Sequence, residues 1–371
     1  MATPTVFKRV NRAVLQAASA PLRILHYAST DPLITGAALF ALTQAPSRYR
    51  VRLLSALRAR GVSSDRIATL VNILKLLFGI GVLRRLNQVL TALALNMWHL
   101  RKPGAPFQFG AAGKPEIIVV TGGCSGFGYE MVKGFSKYAR VIILDISPIP
   151  PELAKIPDVH YYQLDLSDFS AIESTAEQIR LDHGNPSVLI NNAGIATGTP
   201  VISSSAKLTE RIFKVNIACH FILIKEFLPA MLKAKKGHIV TIASMASFVT
   251  APGLVDYCCT KVGALYLNDG LRAELKHFYE NGDCIQTTSV HPSWHDTGIV
   301  KPYAHILERN GVRMDPASNV SDAVIEQVLA SRSGRIFMPR REEGNTSIRS
   351  WPVWLQDALF YTQRNKRIVE N

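Results

Sequence analysis

An apolar run that leads straight into a glycine-rich turn limits the folds open to this chain more than any other feature. Residues Glu116–Val120 read EIIVV, a β-branched run typical of a buried strand, and Thr121–Gly128 follow as TGGCSGFG. An amphipathic helix is predicted next, from about Tyr129 to Tyr138. Glycines let the backbone approach a pyrophosphate, and a helix N-terminus offers it NH groups. The three parts together indicate a dinucleotide-binding loop, with an ordinary glycine-rich turn as the alternative.

An acidic residue ends the next predicted strand. Residues Ala139–Leu144 read ARVIIL, and Asp145 follows them. A carboxylate at this point can hold both ribose hydroxyls of NAD, and it would repel the 2′-phosphate of NADP. Neither Ser125 nor Ile146 supplies a cation to neutralise that phosphate. The sequence therefore favours NAD(H) and still allows NADP(H), while a loop-capping role for Asp145 is the alternative.

A tyrosine and a lysine lie four residues apart in a predicted helix. Tyr257 and Lys261 share one helical face at that spacing, close enough to interact. A free tyrosine titrates near pH ~10, and a neighbouring ammonium favours its phenolate. We therefore expect Lys261 to lower the pKa of Tyr257 and to make it a proton donor and acceptor. Because such pairs also occur by chance, the pair alone does not establish catalysis.

Three other segments contain polar residues in otherwise apolar surroundings. Residues Val188–Gly194 read VLINNAG, a strand that opens into a small polar turn, and Ile239–Ser244 form another predicted strand with Ser244 at its end. Asn216 lies in an apolar helical stretch from Ile212 to Leu228. A buried amide needs hydrogen-bond partners. Asn216 is therefore either a satisfied core residue or a member of a polar network.

These motifs, in this order, resemble the classical short-chain dehydrogenase/reductase family. Thr121–Gly128 match its Thr-Gly-x-x-x-Gly-x-Gly motif, Asn191–Gly194 match Asn-Asn-Ala-Gly, and the resemblance extends from about Lys114 to Pro339. It implies an α/β fold, a Rossmann-like doubly wound parallel sheet, here preceded by an N-terminal helical extension. The family's catalytic set corresponds to Asn216, Ser244, Tyr257 and Lys261.

The resemblance also implies which residues contact the cofactor, and no metal site is expected. Asp165, which follows the third predicted strand, corresponds to an aspartate that usually lies near the adenine. The expected contact residues are Thr121, Gly122, Ser125, Gly126, Phe127, Gly128, Asp145, Asp165, Asn192, Ala193, Gly194, Tyr257, Lys261, Pro292 and Thr297. Within the family, Gly237–Val240 and Pro252–Cys258 resemble the membrane-associated retinol and hydroxysteroid dehydrogenases.

One segment departs from the family pattern. The family usually has Pro-Gly-x-Val-x-Thr beside the nicotinamide, whereas Pro292–Thr297 read PSWHDT. Ser293 replaces the glycine and His295 replaces the apolar residue, which puts the finer nicotinamide contacts in doubt. His295 could relay a proton or contact substrate. A histidine in a surface loop is the favoured interpretation.

The excess positive charge of the chain lies in its N-terminal part. Residues before Glu116 contain sixteen Lys/Arg and two acids, which equals the net charge of +14 for the whole chain. The charges alternate with the apolar runs 33–42, 67–83 and 89–98, and no run is a clean stretch of ~20 apolar residues. Amphipathic helices on a membrane surface are favoured over a packed extension, and nucleic-acid binding lacks any supporting motif.

The expected organisation has four parts. Residues 1–100 form the basic and apolar helical extension, 101–114 (RKPGAPFQFGAAGK) a linker, 115–345 the catalytic domain and 346–371 an apolar tail. The tail, with Trp351 and Trp354, could touch membrane, close over a lipophilic substrate or pack on the core. The five cysteines are odd in number and suit no metal site, which favours free thiols in a reducing compartment.

The expected function is an NAD(H)-dependent oxidoreductase that interconverts an alcohol and its carbonyl on a lipophilic small molecule. Retinoid-, steroid-, terpenoid- and polyketide-like substrates are all open, and a homodimer is allowed. An intracellular membrane, either endoplasmic reticulum or lipid droplet, is the favoured location. The arginine-rich, acid-poor start also allows a mitochondrial transit peptide as a minority interpretation. A non-catalytic membrane-associated scaffold that keeps the cofactor fold is the alternative function.

Overall fold

The computed structural model describes residues 30–113, 115–309 and 311–361. The chain divides into two units, Met1–Ala94 and Leu95–Asn371. The arginine-rich start that allowed a transit peptide, including Lys8 and Arg9, lies outside the described residues, and so does the expected linker end at Lys114.

The first unit is helical where it is described. Its helices are α1 (Pro32–Thr43), α2 (Ser47–Ala59) and α3 (Ser64–Leu95). Helix α3 has 32 residues and is continuous. It contains the apolar run 67–83 and most of the run 89–98, which are separate in the sequence pattern. By length and composition α3 could cross a membrane, and most of its side chains are exposed. This differs from the expected short surface helices, because Arg84 and Arg85 do not interrupt the helix.

A seven-stranded parallel sheet forms the centre of the second unit. Its strands are β1 (Ile117–Thr121), β2 (Arg140–Asp145), β3 (Val159–Gln163), β4 (Val188–Asn191), β5 (Gly237–Ile242), β6 (Ile285–Pro292) and β7 (Gly334–Met338). The spatial order is β3-β2-β1-β4-β5-β6-β7. The inner strands are buried along their length, as expected for a parallel sheet covered by helices on both faces. The predicted Rossmann-like fold is confirmed.

Helices pack on both faces of this sheet and enclose two apolar cores. The helices of this unit are α4 (Gly126–Phe135), α5 (Pro151–Ala154), α6 (Phe169–His183), α7 (Ala206–Phe213), α8 (Cys219–Lys233), α9 (Val255–His277), α10 (Ala304–Arg309), α11 (Ala317–Leu329) and α12 (Val353–Tyr361). One core contains Ile142, Leu189 and Phe227, and the other contains Ile143, Ile190 and Phe135. Because neighbouring strand residues point to opposite faces, strands β1, β2, β4, β5 and β6 contribute to both cores.

The strand order reverses between β1 and β4, and this reversal positions the site. Val120 of β1 is in register with Ile143 of β2 on one side and with Ile190 of β4 on the other. The chain crosses to one side of β1 to form β2 and β3, and to the other side to form β4. A crevice therefore opens beyond the carboxyl ends of β1 and β4, where ligands bind in open α/β sheets.

Residues 95–113, which include most of the expected linker, pack against the unit that contains the parallel sheet. The Asn96 amide exchanges two hydrogen bonds with the Ser333 backbone, at 3.1 and 2.9 Å. The rings of Phe107 and Phe109 stack with centroids 5.0 Å apart and cover one of the two cores. The Ala105 amide donates to Lys235 O at 3.0 Å. This part of the chain therefore belongs to the folded unit.

The C-terminal region is regular rather than an extended tail. Arg340–Ser350 form consecutive 3₁₀ turns, in which Ile348 is buried, and α12 follows. Val353 and Trp354 are 71% and 70% exposed, so packing on the core does not account for these two side chains.

Candidate active site

The glycine-rich loop is built so tightly that two of its glycines have no room for a side chain. Gly122 has φ +64°, and a Cβ there would lie 2.9 Å from Ala193 Cα. A Cβ on Gly128 would lie 2.0 Å from the carbonyl oxygen of Gly122. Helix α4 already begins at Gly126, earlier than the predicted Tyr129, so the loop glycines form its first turn. The NH groups of this turn are open to an anion in the crevice.

Thr121 and Asn192 join the loop to the turn after β4. The Thr121 hydroxyl oxygen accepts hydrogen bonds from the amides of Asn192 and Ala193, at 2.9 and 3.0 Å. The Asn192 side chain donates to Thr121 O at 2.8 Å and to Gly122 O at 3.1 Å. Thr121 is fully buried, so its observed contacts are with protein. These bonds fix the distance between the two turns that border the crevice.

Asp145 lies at the end of β2 and forms a hydrogen bond with the glycine-rich loop. Its Oδ2 accepts a hydrogen bond from the Cys124 amide and its Oδ1 accepts one from the Ser147 amide, both at 2.9 Å. The residue is 8% exposed. A carboxylate has about four lone-pair sites, so two remain for ribose hydroxyls. Asp145 therefore orders the loop and can still receive a ligand.

A cavity of about 400 Å³ occupies the crevice. Ten of the fifteen predicted contact residues line it, namely Gly122, Ser125, Gly126, Phe127, Asp145, Asp165, Asn192, Ala193, Gly194 and Thr297. The other five, Thr121, Gly128, Tyr257, Lys261 and Pro292, are not among its lining residues. The glycine cradle, the helix N-terminus and the acid at the second strand fit a dinucleotide such as NAD(H).

Arg211 is a cavity residue that the sequence analysis missed. It is the one cation among the described lining residues, and its Nη2 lies 4.0 Å from Asp165 Oδ2. The other oxygen of Asp165 accepts hydrogen bonds from the amide and hydroxyl of Ser167. The Ser167 amide, with smaller contributions from its hydroxyl and from Arg211, lowers the pKa of Asp165. No motif marks Arg211, because only the fold brings α7 opposite the end of β3.

Asn216 lies in a π-helical turn, Lys214–Ala218, between α7 and α8. Its Oδ1 accepts from the Ile195 amide at 2.8 Å, and its Nδ2 donates to Ile195 O at 2.9 Å and to Thr260 Oγ1 at 3.1 Å. Asn216 is therefore buried with its hydrogen bonds satisfied by protein, and these bonds join the turn after β4 to α9. Single π turns inside α-helices are frequent at functional sites.

Lys261 is buried beside the turn after β4. Its Nζ donates to Ile242 O at 2.8 Å, and its backbone carbonyl accepts from the Ser247 hydroxyl at 2.7 Å. A Cβ built on Gly194 would lie 3.5 Å from Lys261 Nζ and 3.6 Å from Asn216 Oδ1. Lys261 and Asn216 therefore border a glycine that lines the cavity.

Ser244 and Tyr257 meet at the same place. Strand β5 ends at Ile242, so Ser244 lies just beyond it rather than within it. The Ser244 hydroxyl donates to Pro292 O at 3.3 Å and accepts from the Ala246 amide at 3.1 Å, and its proximity to Tyr257 lowers the pKa of that phenol relative to the effect of burial alone. Pro292 thus contacts Ser244 through its backbone. The predicted catalytic residues converge, although they are distant in sequence.

The pKa of Tyr257 moves in the opposite direction from the sequence expectation. Burial raises the pKa of Tyr257 to about 12, and the nearby Ser244 hydroxyl opposes that shift. Burial also lowers the pKa of Lys261 to about 8. Lys261 Nζ lies 5.5 Å from the centre of the Tyr257 ring and is directed to Ile242 O, so its charge does not offset the loss of solvent around the phenol.

His295 is buried, so the favoured expectation of a surface-loop histidine is wrong. It is 1% exposed, and its ring lies edge-on to Phe127 with centroids 5.5 Å apart. His295 Nδ1 lies 3.1 Å from Ser293 O, and burial lowers the pKa of the imidazole. A parallel bridge between His295 and Asp315 holds the segment against the chain before α11. The imidazole therefore fills space behind the glycine-rich loop.

Comparison with known proteins agrees with this geometry. A family model described as short chain dehydrogenase matches residues 116–306. The chain belongs to this family. Human estradiol 17-beta-dehydrogenase 11 is 33% identical over 231 residues, which cover 60% of this chain and 75% of that protein. As its description says, the matched family is a family of dehydrogenases.

Other members of the family are similar over shorter stretches. Dehydrogenase RED3 of Cochliobolus heterostrophus is 47% identical over 131 residues, 35% of this chain. That match and the match to dehydrogenase RED2 of the same fungus each span 66% of the relative's length. The solved structure of 4-hydroxyisoleucine dehydrogenase complexed with NADH superposes with a TM-score of 0.54 at 24% identity, covering 60% of this chain and 96% of that one. This likeness supports the fold.

Proposed function

We propose that the protein is an NAD(H)-dependent oxidoreductase that interconverts an alcohol and its carbonyl on a lipophilic molecule. The observation that carries the proposal is that Ser244 lies beside Tyr257, with Nζ of the buried Lys261 5.5 Å from the centre of the Tyr257 ring. A phenol and a hydroxyl that lie side by side can bind the same substrate oxygen. The glycine-lined cavity adjoins this group through Gly194.

Each polar residue has a defined task. When bound, the nicotinamide dinucleotide supplies or accepts hydride. In carbonyl reduction Tyr257 donates its proton to the substrate oxygen as negative charge develops there. Ser244 donates a hydrogen bond to the same oxygen, which is stabilisation directed at the transition state. In alcohol oxidation the same groups act in reverse, with Tyr257 as the base.

Lys261 and Asn216 support the proton transfer. With a pKa of about 8, Lys261 remains mostly charged at neutral pH and can bind the ribose next to the nicotinamide. Asn216 uses both protons of its Nδ2, while its Oδ1 accepts one bond and keeps a lone pair. We infer that this lone pair holds a water that links Lys261 to solvent.

The preference for NAD(H) is supported by the two carboxylates in the cavity. Asp145 lies where the ribose of the adenosine half binds in this fold, and Asp165 lies on the wall beyond it. Arg211 is the one cation among the described residues of the cavity wall, and it already faces Asp165. A 2′-phosphate beside Asp145 would therefore meet like charge.

The names of relatives and the exposed apolar helix α3 support the proposal of a lipophilic substrate and a membrane location. The relatives include estradiol 17-beta-dehydrogenase 11 and retinol dehydrogenase 10-B, whose names refer to apolar alcohols. Leu76 and Leu83 of α3 are 65% and 66% exposed, and such side chains would be covered in a bilayer. We propose an intracellular membrane, either endoplasmic reticulum or lipid droplet. Full-length protein found wholly in the soluble fraction would contradict this location.

Replacement of Tyr257 by phenylalanine tests the catalytic proposal. Tyr257→Phe removes the transferable proton, so turnover should fall about 10²-fold or more while NADH binding stays nearly unchanged. Tyr266→Phe is the matched control, because Tyr266 lies on the same helix with 72% of its side chain exposed. The assay is a panel of steroid, retinoid, terpenoid and polyketide alcohols and ketones with both cofactors. Bound NADH without turnover of any of them would favour a non-catalytic scaffold.

A further inference from the structure

Four large apolar side chains are exposed near the amino ends of the strands, at the end of the sheet opposite the cavity. Trp98 and Leu100 are 58% and 83% exposed, and Phe278 and Tyr279 are 77% and 40% exposed. They belong to segment 96–105 and to segment 276–284, which immediately precedes β6. We call these two segments, together with residues 233–236 before β5, the basal surface. The cavity lies at the carboxyl ends of the strands, so the basal surface is remote from it.

The segments of the basal surface are held against one another. His99 Nε2 lies 3.3 Å from Asp283 Oδ2, and Arg332 donates to His99 O at 2.9 Å. A Cβ on Gly104 would lie 2.2 Å from Lys235 O and 2.7 Å from Cys284 Sγ, so all three segments touch at Gly104. The exposed apolar groups are therefore parts of one surface, not ends of independent loops.

The backbone at Met97 and Trp98 takes a sparsely populated conformation that exposes the indole. Both residues have positive φ, 52° and 68°. Such a conformation is uncommon and energetically unfavourable for residues other than glycine. It directs Met97 into the core and leaves Trp98 outside. Packing of Met97 against the core helps to stabilise this backbone conformation. No residue in the described part of the chain covers Trp98.

Exposed cations accompany the apolar groups. Arg101, Lys233, Lys235 and Lys276 are exposed and form no ion pair with another described residue. Lys236, in contrast, pairs with the buried Glu116 at 2.8 Å. The acids of the three segments are Glu280 and Asp283, and Asp283 already faces His99. The basal surface is thus both apolar and net positive.

We propose that the basal surface binds the headgroup region of an anionic phospholipid membrane. Aromatic side chains prefer that depth of a bilayer, and lysines are attracted to an anionic lipid surface. A second copy of the chain would bring like charges together across a two-fold axis, which disfavours a dimer at this surface. The proposal rests on the membrane association proposed above.

Covalent continuity favours the same partner. The basal surface begins at Asn96, the residue after α3, which is long and apolar enough to span a bilayer. Trp98 is three residues from Leu95, so it lies within about 10 Å of the end of that helix. Wherever α3 enters a membrane, Trp98 and Leu100 are therefore at its surface. Binding through the basal surface leaves the cavity open to a soluble dinucleotide.

Hydrogen exchange of the full-length protein in nanodiscs tests this proposal. We compare nanodiscs of phosphatidylcholine alone with nanodiscs that also contain phosphatidylserine. Amides of segments 96–105 and 276–284 should exchange about tenfold more slowly with phosphatidylserine, because several lysines contribute. Lys235→Glu combined with Lys276→Glu should abolish that difference. The matched control, Lys207→Glu combined with Lys301→Glu, removes two exposed lysines elsewhere and should retain it. NADH binding by both variants serves as the folding control.

The outcomes separate this proposal from the anchoring of α3. Protected α3 amides without phosphatidylserine-dependent protection of the two segments would overturn the basal-surface proposal and leave anchoring intact. Protection that depends on protein concentration rather than on lipid charge would assign the surface to a second copy. If α3 exchanges freely, anchoring fails. In that case the exchange rates of the two segments alone test the proposal. Protection by phosphatidylserine supports it, and the absence of such protection refutes it.

Discussion

Cofactor choice can be tested at Asp145, where the structure makes one substitution more informative than another. The carboxylate of Asp145 accepts hydrogen bonds from the amides of Cys124 and Ser147, so Asp145→Ala leaves both amides unpaired. Asp145→Asn removes the charge and keeps one side-chain oxygen, which can still accept a hydrogen bond from one of the two backbone amides. Only the other amide then faces the side-chain NH₂ group. Asn is therefore the cleaner replacement.

The expected magnitude follows from two separate effects. Hydrogen bonds to a charged acceptor contribute about 1.5–3 kcal/mol each, so loss of one should weaken binding of either dinucleotide by disturbing the loop. Repulsion between Asp145 and a 2′-phosphate about 4 Å away amounts to about 1 kcal/mol in water and about 4 at a protein surface. We take about 1.4 kcal/mol for this repulsion, a value within that range. Its loss in Asp145→Asn should reduce the preference for NADH over NADPH about tenfold.

The assay is titration of wild type and variants with NADH and NADPH, followed by nicotinamide fluorescence. The ratio of the two dissociation constants is the readout, because loop damage affects both cofactors alike and cancels. Asp145→Glu keeps the charge and should keep the preference even if both affinities fall. A wild-type protein that binds NADPH more tightly, or an unchanged ratio in Asp145→Asn, would refute the reasoning.

Two further predictions concern the same site. Because burial raises the pKa of Tyr257 to about 12, the phenol stays protonated near neutrality. The kcat/KM of alcohol oxidation should therefore rise with pH through the neutral range, whereas a flat profile between about pH 6 and 8 would argue against Tyr257 as the base. Arg211→Ala should weaken NADH about fivefold and reduce the salt dependence of binding, since a half-exposed cation contributes about 1 kcal/mol. Arg211→Lys should recover most of the affinity, and equal affinities in all three proteins would exclude a role.

The sequence was sufficient to predict those elements whose pattern lies within a short stretch of the chain. The β-branched strand, the glycine turn and Asp145 lie within about thirty residues and follow from period and turn chemistry. The helical spacing of Tyr257 and Lys261 is equally local. These elements occupy the expected places, with boundaries shifted by a few residues, because glycine loop residues can form the first turn of a helix.

Features that depend on tertiary contacts were missed. Arg211 acquires a role only when α7 packs opposite the end of β3. The burial of His295 depends on its bridge to Asp315, in a segment without a periodic pattern. The raised pKa of Tyr257 depends on solvent exclusion, which spacing alone cannot predict. In each case the local sequence allows two environments, and long-range packing selects one.

The composition of segment 101–114 indicated a linker, and its packing leads to a test of where the catalytic unit begins. The segment is rich in glycine and proline, but Phe107 and Phe109 cover a core and the Gln108 amide donates to the buried Glu116 at 2.8 Å. We predict that a chain starting at Leu95 folds and binds NADH. A chain starting at Lys114 loses both phenylalanines, which are half-buried. A fully buried ring contributes about 3–5 kcal/mol, so even a part of that from each ring is a large share of the stability of a domain.

Thermal unfolding and NADH titration of the two truncated chains decide between a linker and a structural segment. The longer chain should unfold cooperatively, and the shorter one should be unfolded or should melt at a much lower temperature. Phe107→Ala in the longer chain should fall between them, because it removes one ring and keeps the Asn96 and Gln108 hydrogen bonds. Equal stability of the two chains would mean that residues 95–113 contribute nothing to the fold. The glycines and prolines would then mark a true linker.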